Sequence, residues 1–198
     1  MKTALLLTTC ILASGGLMLT KSAKDALNWR SNATVTKVKT LSATRRMSTN
    51  PIAPMYIVVD KKKYELSVYD AKGWFATYPV VFGSKDLSDK LMEGDRRTPE
   101  GKFKIISTKP HSKWHRMLML DYPNQQSWAK FRQRKAAGLI PASARIGGGI
   151  AIHGTWPNDN IVVDDFTNWT NGCVSLKNED IDDINSFLSV GTSVEIKR

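Results

Sequence analysis

Cysteine is almost absent from this chain, and its scarcity limits what the few cysteines can do. Only Cys10 and Cys173 occur among 198 residues, and Cys10 lies inside an apolar N-terminal stretch. If that stretch is a targeting segment, Cys173 is the sole cysteine of the remaining chain and no internal disulfide can form there. A leftover cysteine in an exported protein forms an intermolecular bridge or is a reactive thiol. A third interpretation is a small buried apolar residue.

Long hydrophobic runs are also missing. The longest covers residues 4–19, about sixteen residues, which is fewer than the ~20 of a membrane-spanning helix. The basic start at Lys2, the apolar middle and the small residues 13–16 are typical of a secretory signal. Residues 1–20 are therefore predicted to be a signal peptide, with an uncleaved N-terminal anchor as the alternative. Either way, the rest of the chain is expected in the periplasm or cell envelope.

Acidic residues are fewer than basic ones, because the chain has 18 Asp and Glu but 29 Lys and Arg. The net charge of +11 and the pI near 9.7 suit nucleic acid, a membrane surface or an anionic polymer. The sequence has no RNP-like, zinc-finger or helix-turn-helix signature, and export argues against a nucleic-acid partner. The predicted partners of the basic surface are therefore anionic envelope polymers, and no nucleic acid is expected.

The hydrophobic pattern changes near residue 55. Residues 21–54 are rich in Lys, Arg, Ser, Thr and Asn and are predicted to be a basic linker. Short β-branched and aromatic runs predict strands at residues 55–60, 64–69, 74–82, 102–107, 117–120, 150–153 and 192–197. Helical spacing predicts one helix at residues 125–137 and a second that starts at Asn178, which would cap it. Residues 55–198 are thus predicted to form one mainly β domain with two short helices.

One histidine and one cysteine carry the candidate chemistry. His153 ends the apolar run 150–152, which is typical of a buried strand, so packing can hold its ring. Cys173 follows the polar turn 170–172, where Gly172 allows close backbone approach and leaves N–H groups for a substrate oxygen. An imidazole near a thiol can generate the reactive thiolate at neutral pH. The pattern predicts a cysteine nucleophile with a histidine base in an acyl-transfer site.

These residues resemble the L,D-transpeptidase catalytic domain (YkuD domain) family. The family pattern is His-Gly, a loop, then Ser/Thr-x-Gly-Cys and an apolar residue, matched here by His153-Gly154 and Thr170-Asn171-Gly172-Cys173-Val174. The likeness covers about residues 55–198 and includes Thr98-Pro99-Glu100-Gly101, Ser112-Lys113-Trp114-His115, Tyr122-Pro123-Asn124 and Gly147-Gly148-Gly149-Ile150. The Tyr-Pro-Asn segment is similar to that of an envelope branch of the family.

The resemblance implies a β-sandwich-like domain that acts on peptidoglycan stem peptides without a metal or another cofactor. It implies that Cys173 is the nucleophile that forms a thioester and that His153 is the proton donor and acceptor. A backbone carbonyl close to Gly154 would orient the imidazole, and N–H groups of the Gly172–Cys173 turn would hold the oxyanion. The acyl acceptor stays open among water, a second stem peptide, a free D-amino acid and a lysine of a wall-linked protein.

Five positions are predicted to contact the substrate, namely His115, Trp156, Thr170, Asn171 and Ser175. Ser175 stands where the family commonly has Arg, whose rigid fork suits a carboxylate or a carbonyl. This departure leaves two enzymatic functions open, a transpeptidase and a hydrolytic relative, which would be an L,D-carboxypeptidase or an amidase/endopeptidase that cleaves links to peptidoglycan. A non-catalytic peptidoglycan-binding module is the alternative from another class.

Other histidine, tryptophan and arginine side chains have competing interpretations. His111 and His115 invite a zinc site, but their HxxxH spacing precedes a strand and no carboxylate motif accompanies it, so no metal is predicted. Trp169, like Trp156, flanks the loop between His153 and Cys173 and is either a cleft wall or partly buried core. Residues 96–97, both Arg, are predicted to be solvated turn residues.

Overall fold

The computed structural model describes residues 40–46 and 50–198. The predicted signal peptide or anchor at residues 1–20 and most of the predicted linker lie outside the described residues. No helix within the described part of the chain is long and apolar enough to cross a membrane.

Nine strands form one sheet within the described residues, in the order β1-β4-β3-β2-β9-β5-β6-β7-β8. The strands are β1 (Thr44–Arg45), β2 (Tyr56–Asp60), β3 (Glu65–Asp70), β4 (Gly73–Pro79), β5 (Gly101–His111), β6 (His115–Leu120), β7 (Ala151–His153), β8 (Val174–Ser175) and β9 (Ser193–Lys197). The helices are α1 (Gln125–Ala136), α2 (Ile161–Asp164) and α3 (Asn178–Phe187). The prediction of a mainly β domain with two short helices is confirmed, and α2 adds a single turn.

Strands β2, β3 and β4 form an antiparallel meander because each is short and tight turns join them. Burial alternates along β2 and β3, so Ile57, Val59, Leu66 and Val68 point into the core. Strand β9 lies parallel to β2 and antiparallel to β5, which places the end of the chain at the centre of the sheet.

The two ends of the sheet approach each other. Val81, just after β4, forms a bridge with Ser175 of β8, and each N–H donates to the other residue's carbonyl at 2.9 Å. Helix α3 covers the core through Ile181 and Ile184, both fully buried. The sheet therefore wraps around a single apolar core, as the β-sandwich-like prediction requires.

Residues 40–46 belong to the range predicted as linker, yet they are tied to the domain. Strand β1 pairs with β4, and Lys177 Nζ donates to the Leu41 carbonyl at 2.6 Å. Arg46 forms an ion pair with the buried Asp70 carboxylate at 2.5 Å. The packed part of the domain therefore begins N-terminal to residue 55.

Candidate active site

The candidate histidine and cysteine lie on neighbouring parallel strands. Strands β7 and β8 pair in the register Ile152 to Val174 and His153 to Ser175. Cys173 immediately precedes β8, so it lies beside β7, the strand whose last residue is His153. The structure thus brings together the two residues to which the sequence assigns the chemistry.

The imidazole of His153 is held by the main chain and not by a carboxylate. The ring is 1% exposed, and Nδ1 lies 2.7 Å from the Gly154 carbonyl oxygen. Because a carbonyl only accepts, Nδ1 carries the proton and Nε2 is left as the basic nitrogen. Burial lowers the His153 pKa to about 4, and the bond to Gly154 only partly opposes this. The imidazole is therefore neutral at neutral pH.

Aromatic rings enclose the imidazole. Trp114 stacks on His153 with a centroid distance of 5.0 Å, and Trp169 meets it edge-on at 5.4 Å. His111 stacks on Trp114 at 4.6 Å. The sequence assigned no role to Trp114, although the Ser-Lys-Trp-His segment that holds it was part of the family likeness. These rings remove water from the base and fix its orientation.

The thiol of Cys173 is also neutral. Burial raises its pKa above the ordinary value, while the Ala151 N–H, which points at the sulfur, acts in the opposite direction. The sulfur lies 3.6 Å from the Gly149 carbonyl oxygen, an acceptor for the S–H proton. The candidate pair is therefore a neutral thiol and a neutral imidazole, so an attack by the thiol would require it to lose its proton.

The turn before Cys173 is closed by its own side chain. The Gly172 N–H donates to Thr170 Oγ1 at 3.2 Å, and that hydroxyl donates to the Cys173 carbonyl at 2.8 Å. The Gly172 N–H, predicted to be free for an oxyanion, is thus engaged, and Thr170 is buried within the turn. The Cys173 N–H has no acceptor among the described residues, so it is the candidate oxyanion donor.

Ser175 lies beneath the site and not in the cleft. Its side chain is 0% exposed, and its hydroxyl donates to the Gly154 carbonyl at 3.3 Å. That carbonyl accepts from both His153 and Ser175. The direct substrate contact expected of Ser175 does not fit this burial, whereas a role in positioning Gly154 does.

His115 is tied to helix α3. Its Nε2 lies 2.6 Å from Asp182, which also accepts from Arg116 at 3.1 Å. These contacts, His115 first, lower the pKa of Asp182. Substrate contact by His115 stays a prediction, because its exposed ring already has a carboxylate partner.

The loop after His153 is anchored by amide side chains. Asn178 Oδ1 accepts from the Thr155 N–H at 2.9 Å, and a Cβ on Gly154 would collide with that same oxygen. Asn160 Oδ1 accepts from the Asn178 N–H at 3.1 Å and from the Thr155 hydroxyl at 3.0 Å. Asn178 was predicted to cap α3, but it is the first helical residue and its side chain fixes this loop instead.

Two exposed side chains, Trp156 and Asn171, border the site. Trp156 is 38% exposed and packs on Trp169 at 3.9 Å between ring centroids. Trp169 therefore satisfies both interpretations, since it is half-buried and contacts the candidate base.

The adjacent arginines at 96 and 97 play different parts. Arg97 pairs with Asp86 at 2.6 Å, whereas Arg96 donates from Nε to the Thr170 carbonyl and from a terminal nitrogen to the Trp169 carbonyl, both at 3.2 Å. Arg96 is exposed, as predicted for a solvated residue, and it also supports the turn that precedes Cys173. The bond from Arg96 to the Trp169 carbonyl joins residues 73 apart in sequence, so no local pattern reveals it.

No group of three or more His, Cys, Asp or Glu side chains among residues 40–46 and 50–198 is arranged to hold a metal ion. His115 bonds to Asp182, and His111 stacks on Trp114.

Comparison with known proteins places the chain in a family. The model of the L,D-transpeptidase catalytic domain (YkuD) matches residues 54–196. No curated protein sequence matches the chain. The structure is similar to Bd1075 of Bdellovibrio bacteriovorus, at 23% identity and a TM-score of 0.52, covering 74% of this chain and 48% of that one. It is also similar to the helical cell shape determining protein Pgp2 of Campylobacter jejuni, at 22% identity and a TM-score of 0.51, covering 73% and 47%.

The chain belongs to the L,D-transpeptidase catalytic domain family, because the family model spans most of its length. The two solved structures support the fold. The chain spans about half the length of each, so their own activities are not transferred to it.

Proposed function

We propose that this protein is a cysteine acyltransferase that acts on peptidoglycan stem peptides in the cell envelope through a thioester on Cys173. The observation that carries the proposal is the arrangement on β7 and β8, where Cys173 adjoins a histidine whose Nδ1 is fixed 2.7 Å from the Gly154 carbonyl. Membership of the family supplies the substrate class.

In the acylation step, His153 Nε2 takes the proton of the Cys173 thiol as the sulfur attacks the carbonyl carbon of an L-centre followed by a D-residue. A C–S bond forms, and the carbonyl oxygen becomes an oxyanion that accepts from the Cys173 N–H. The C–N bond then breaks, and His153 returns the proton to the leaving amine of the D-residue. The product is a thioester on Cys173.

In the second step, an acceptor attacks the thioester and regenerates the thiol. His153 takes a proton from the acceptor, a new C–N or C–O bond forms, and the C–S bond breaks with proton return to sulfur. An amine acceptor gives transfer, whereas water gives hydrolysis. Ser175 supports neither outcome directly, because its hydroxyl is buried against Gly154.

We also propose that the protein is exported to the cell envelope and that its basic surface contacts anionic wall polymers. An envelope location agrees with the signal-like residues 1–20, and a net charge of +11 favours anionic wall polymers over neutral ones. A wall-linked protein is included as a partner only if a protein lysine proves to be the acceptor.

The test uses the full chain and its Cys173→Ala variant with isolated sacculi and with a soluble tetrapeptide-bearing muropeptide. Mass spectrometry of the digested products identifies any released D-residue, any new cross-link and any acyl adduct on the protein. We expect turnover by the wild type and none by the variant. Equal turnover by both would refute the covalent route.

The same experiment separates the two enzymatic outcomes and the binding alternative. Cross-linked or amine-exchanged product identifies a transferase, and a shortened stem peptide identifies a hydrolase. A non-catalytic binding module would leave the muropeptide unchanged in both proteins.

A further inference from the structure

We propose that Arg96, together with Asn171, forms a subsite beside the nucleophile that binds the free α-carboxylate of the D-residue that leaves the donor peptide. This inference rests on the proposed function, since it names the group by which that substrate is recognised.

The subsite is a pocket of about 410 Å³ that adjoins the catalytic turn. Its lining residues are Lys90, Glu93, Gly94, Arg96, Gly147, Gly148 and Asn171. Asn171 precedes Cys173 by two residues, and Gly148 precedes the Gly149 carbonyl that lies 3.6 Å from the sulfur. Two sides of the pocket therefore run directly into the segments that flank the thiol.

Arg96 has hydrogen-bonding capacity to spare. Its guanidinium has five N–H donors, and two of its nitrogens bond to the carbonyls of Trp169 and Thr170. These bonds fix the plane of the group beside the turn, and the second terminal nitrogen is unused among the described residues. A planar fork anchored in this way is suited to a carboxylate.

The charge of Arg96 is also unopposed among the described residues. The other charged side chains of the pocket have partners, since Lys90 pairs with Asp95 at 2.7 Å and Glu93 pairs with Arg145 at 2.8 Å. Arg96 contacts only carbonyl oxygens. The pocket thus presents one uncompensated positive charge, which favours an anionic group over a neutral one.

The chemistry of the donor selects which anion this is. In a peptide that ends in a D-residue, the α-carboxylate is two bonds from the amine that leaves, so it lies close to the carbonyl under attack. Arg96 bonds to the Thr170 carbonyl, three residues before the nucleophile. A carboxylate bound there would orient the scissile bond toward sulfur, while Asn171 supplies an exposed amide donor.

The test measures equilibrium binding in a chain that cannot turn over. Full-length protein with Cys173→Ala is titrated with a stem tetrapeptide that has a free C-terminal carboxylate and with the same peptide as a C-terminal carboxamide. The dissociation constants are compared for that protein and for the same protein with Arg96→Gln, Arg96→Lys or Arg97→Gln added. Arg97→Gln is the matched control, because Arg97 pairs with Asp86 and does not line the pocket.

We expect the carboxylate peptide to bind about tenfold or more tightly than the carboxamide, and Arg96→Gln to abolish that ratio through the loss of a charge-assisted bond. Arg96→Lys should keep part of the ratio and Arg97→Gln all of it. Carboxamide binding should stay unchanged in Arg96→Gln, which shows that the variant is folded. Equal binding of the two peptides, no binding of either, or a ratio that survives Arg96→Gln would overturn the subsite.

Turnover by the Cys173 protein is measured separately with the carboxylate peptide. If that peptide binds through Arg96 but is never cleaved, the proposed function fails and the subsite stands. If it is cleaved but Arg96→Gln lowers the binding of both peptides equally, the enzyme stands and Arg96 only supports the turn.

Discussion

Substituting Gly172 with alanine tests how tightly the turn before the nucleophile is constrained. The residue has φ of +122°, and a Cβ there would lie 2.7 Å from the Arg97 carbonyl oxygen, about 0.7 Å inside the 3.4 Å limit of ordinary contact. A side chain held at such a dihedral angle costs about 1–3 kcal/mol. The clash adds about 1–3 kcal/mol, because the obstructing atom belongs to the backbone and cannot rotate away. We expect the free energy of unfolding to fall by about 4 kcal/mol.

Gly191→Ala is the matched control. Gly191 has φ of +95°, but an added Cβ would meet no atom within 4 Å. This variant therefore carries the dihedral strain without the clash, and its free energy of unfolding should fall by about 1–3 kcal/mol only. Denaturant unfolding of both variants gives the difference, which isolates the contact with Arg97.

Activity should separate the two variants further. Relief of the clash moves the turn and redirects the Cys173 N–H, and the loss of one oxyanion donor lowers kcat by about 10²–10³-fold. Gly191 lies two residues before β9, a strand that β5 and β6 separate from β7, so Gly191→Ala should keep wild-type release of the D-residue. A Gly172→Ala protein that is as stable as Gly191→Ala and as active as wild type would refute the proposed rigidity of the turn.

Three further predictions concern His153 and the serine that supports it. Because burial lowers the His153 pKa to about 4 from an ordinary 6.5, kcat/KM should stay constant on acidification until pH approaches 4 and then decline, and a half-maximal rate near 6.5 in the pH-rate profile would contradict this. On acidification His153 is protonated near pH 6.5 in the unfolded chain but only near pH 4 in the folded one. The free energy of unfolding, measured by denaturant titration, should therefore fall as the pH is lowered from 6.5 to 4. Ser175→Ala removes a 3.3 Å bond to Gly154, so kcat should fall about threefold to tenfold and unfolding free energy by about 1 kcal/mol, while KM is unchanged. Separate determination of kcat and KM checks this. A rise in KM with kcat unchanged would show that Ser175 contributes to substrate binding and not to the positioning of Gly154.

Local sequence predicts the central strands well because they are β-branched and aromatic runs bounded by turn residues. Strand β2 was expected at residues 55–60 and spans Tyr56–Asp60, with Ile57 and Val59 buried as the alternation requires. Strand β1 was missed because its two residues are exposed and have no apolar period. It is held by pairing with β4 and by contacts such as the ion pair of Arg45 with Asp183, which join residues 138 apart in sequence.

In the candidate site, too, some residues could be identified from the local sequence, whereas others are brought in by pairing between distant segments. His153 and Cys173 were predicted from their local sequence context to share a site, and the pairing of β7 with β8 places them on neighbouring strands. Their catalytic roles stay a prediction. Trp114 reaches the imidazole because β6 and β7 pair in the register Met117 to His153, which brings the β5–β6 turn over the ring. The Asn178 side chain does not cap α3, because its oxygen accepts a hydrogen bond from the Thr155 N–H instead. Such choices depend on which strands become neighbours.

The neutral state of His153 and Cys173 has a consequence for the proposed function in the cell envelope. A carboxylate behind His153 would favour an imidazolium and a resident thiolate, whereas the uncharged Gly154 carbonyl orients the ring without stabilising its charge to the same degree. Oxidation of cysteine follows thiolate character and exposure. In the oxidising envelope proposed for this protein, we expect a Cys173 thiol whose pKa is raised by burial to form sulfenic acid more slowly than a resident thiolate would. Charge separation is then confined to the moment when the Cys173 N–H can stabilise the oxyanion, so the burial that weakens the nucleophile at rest also protects it.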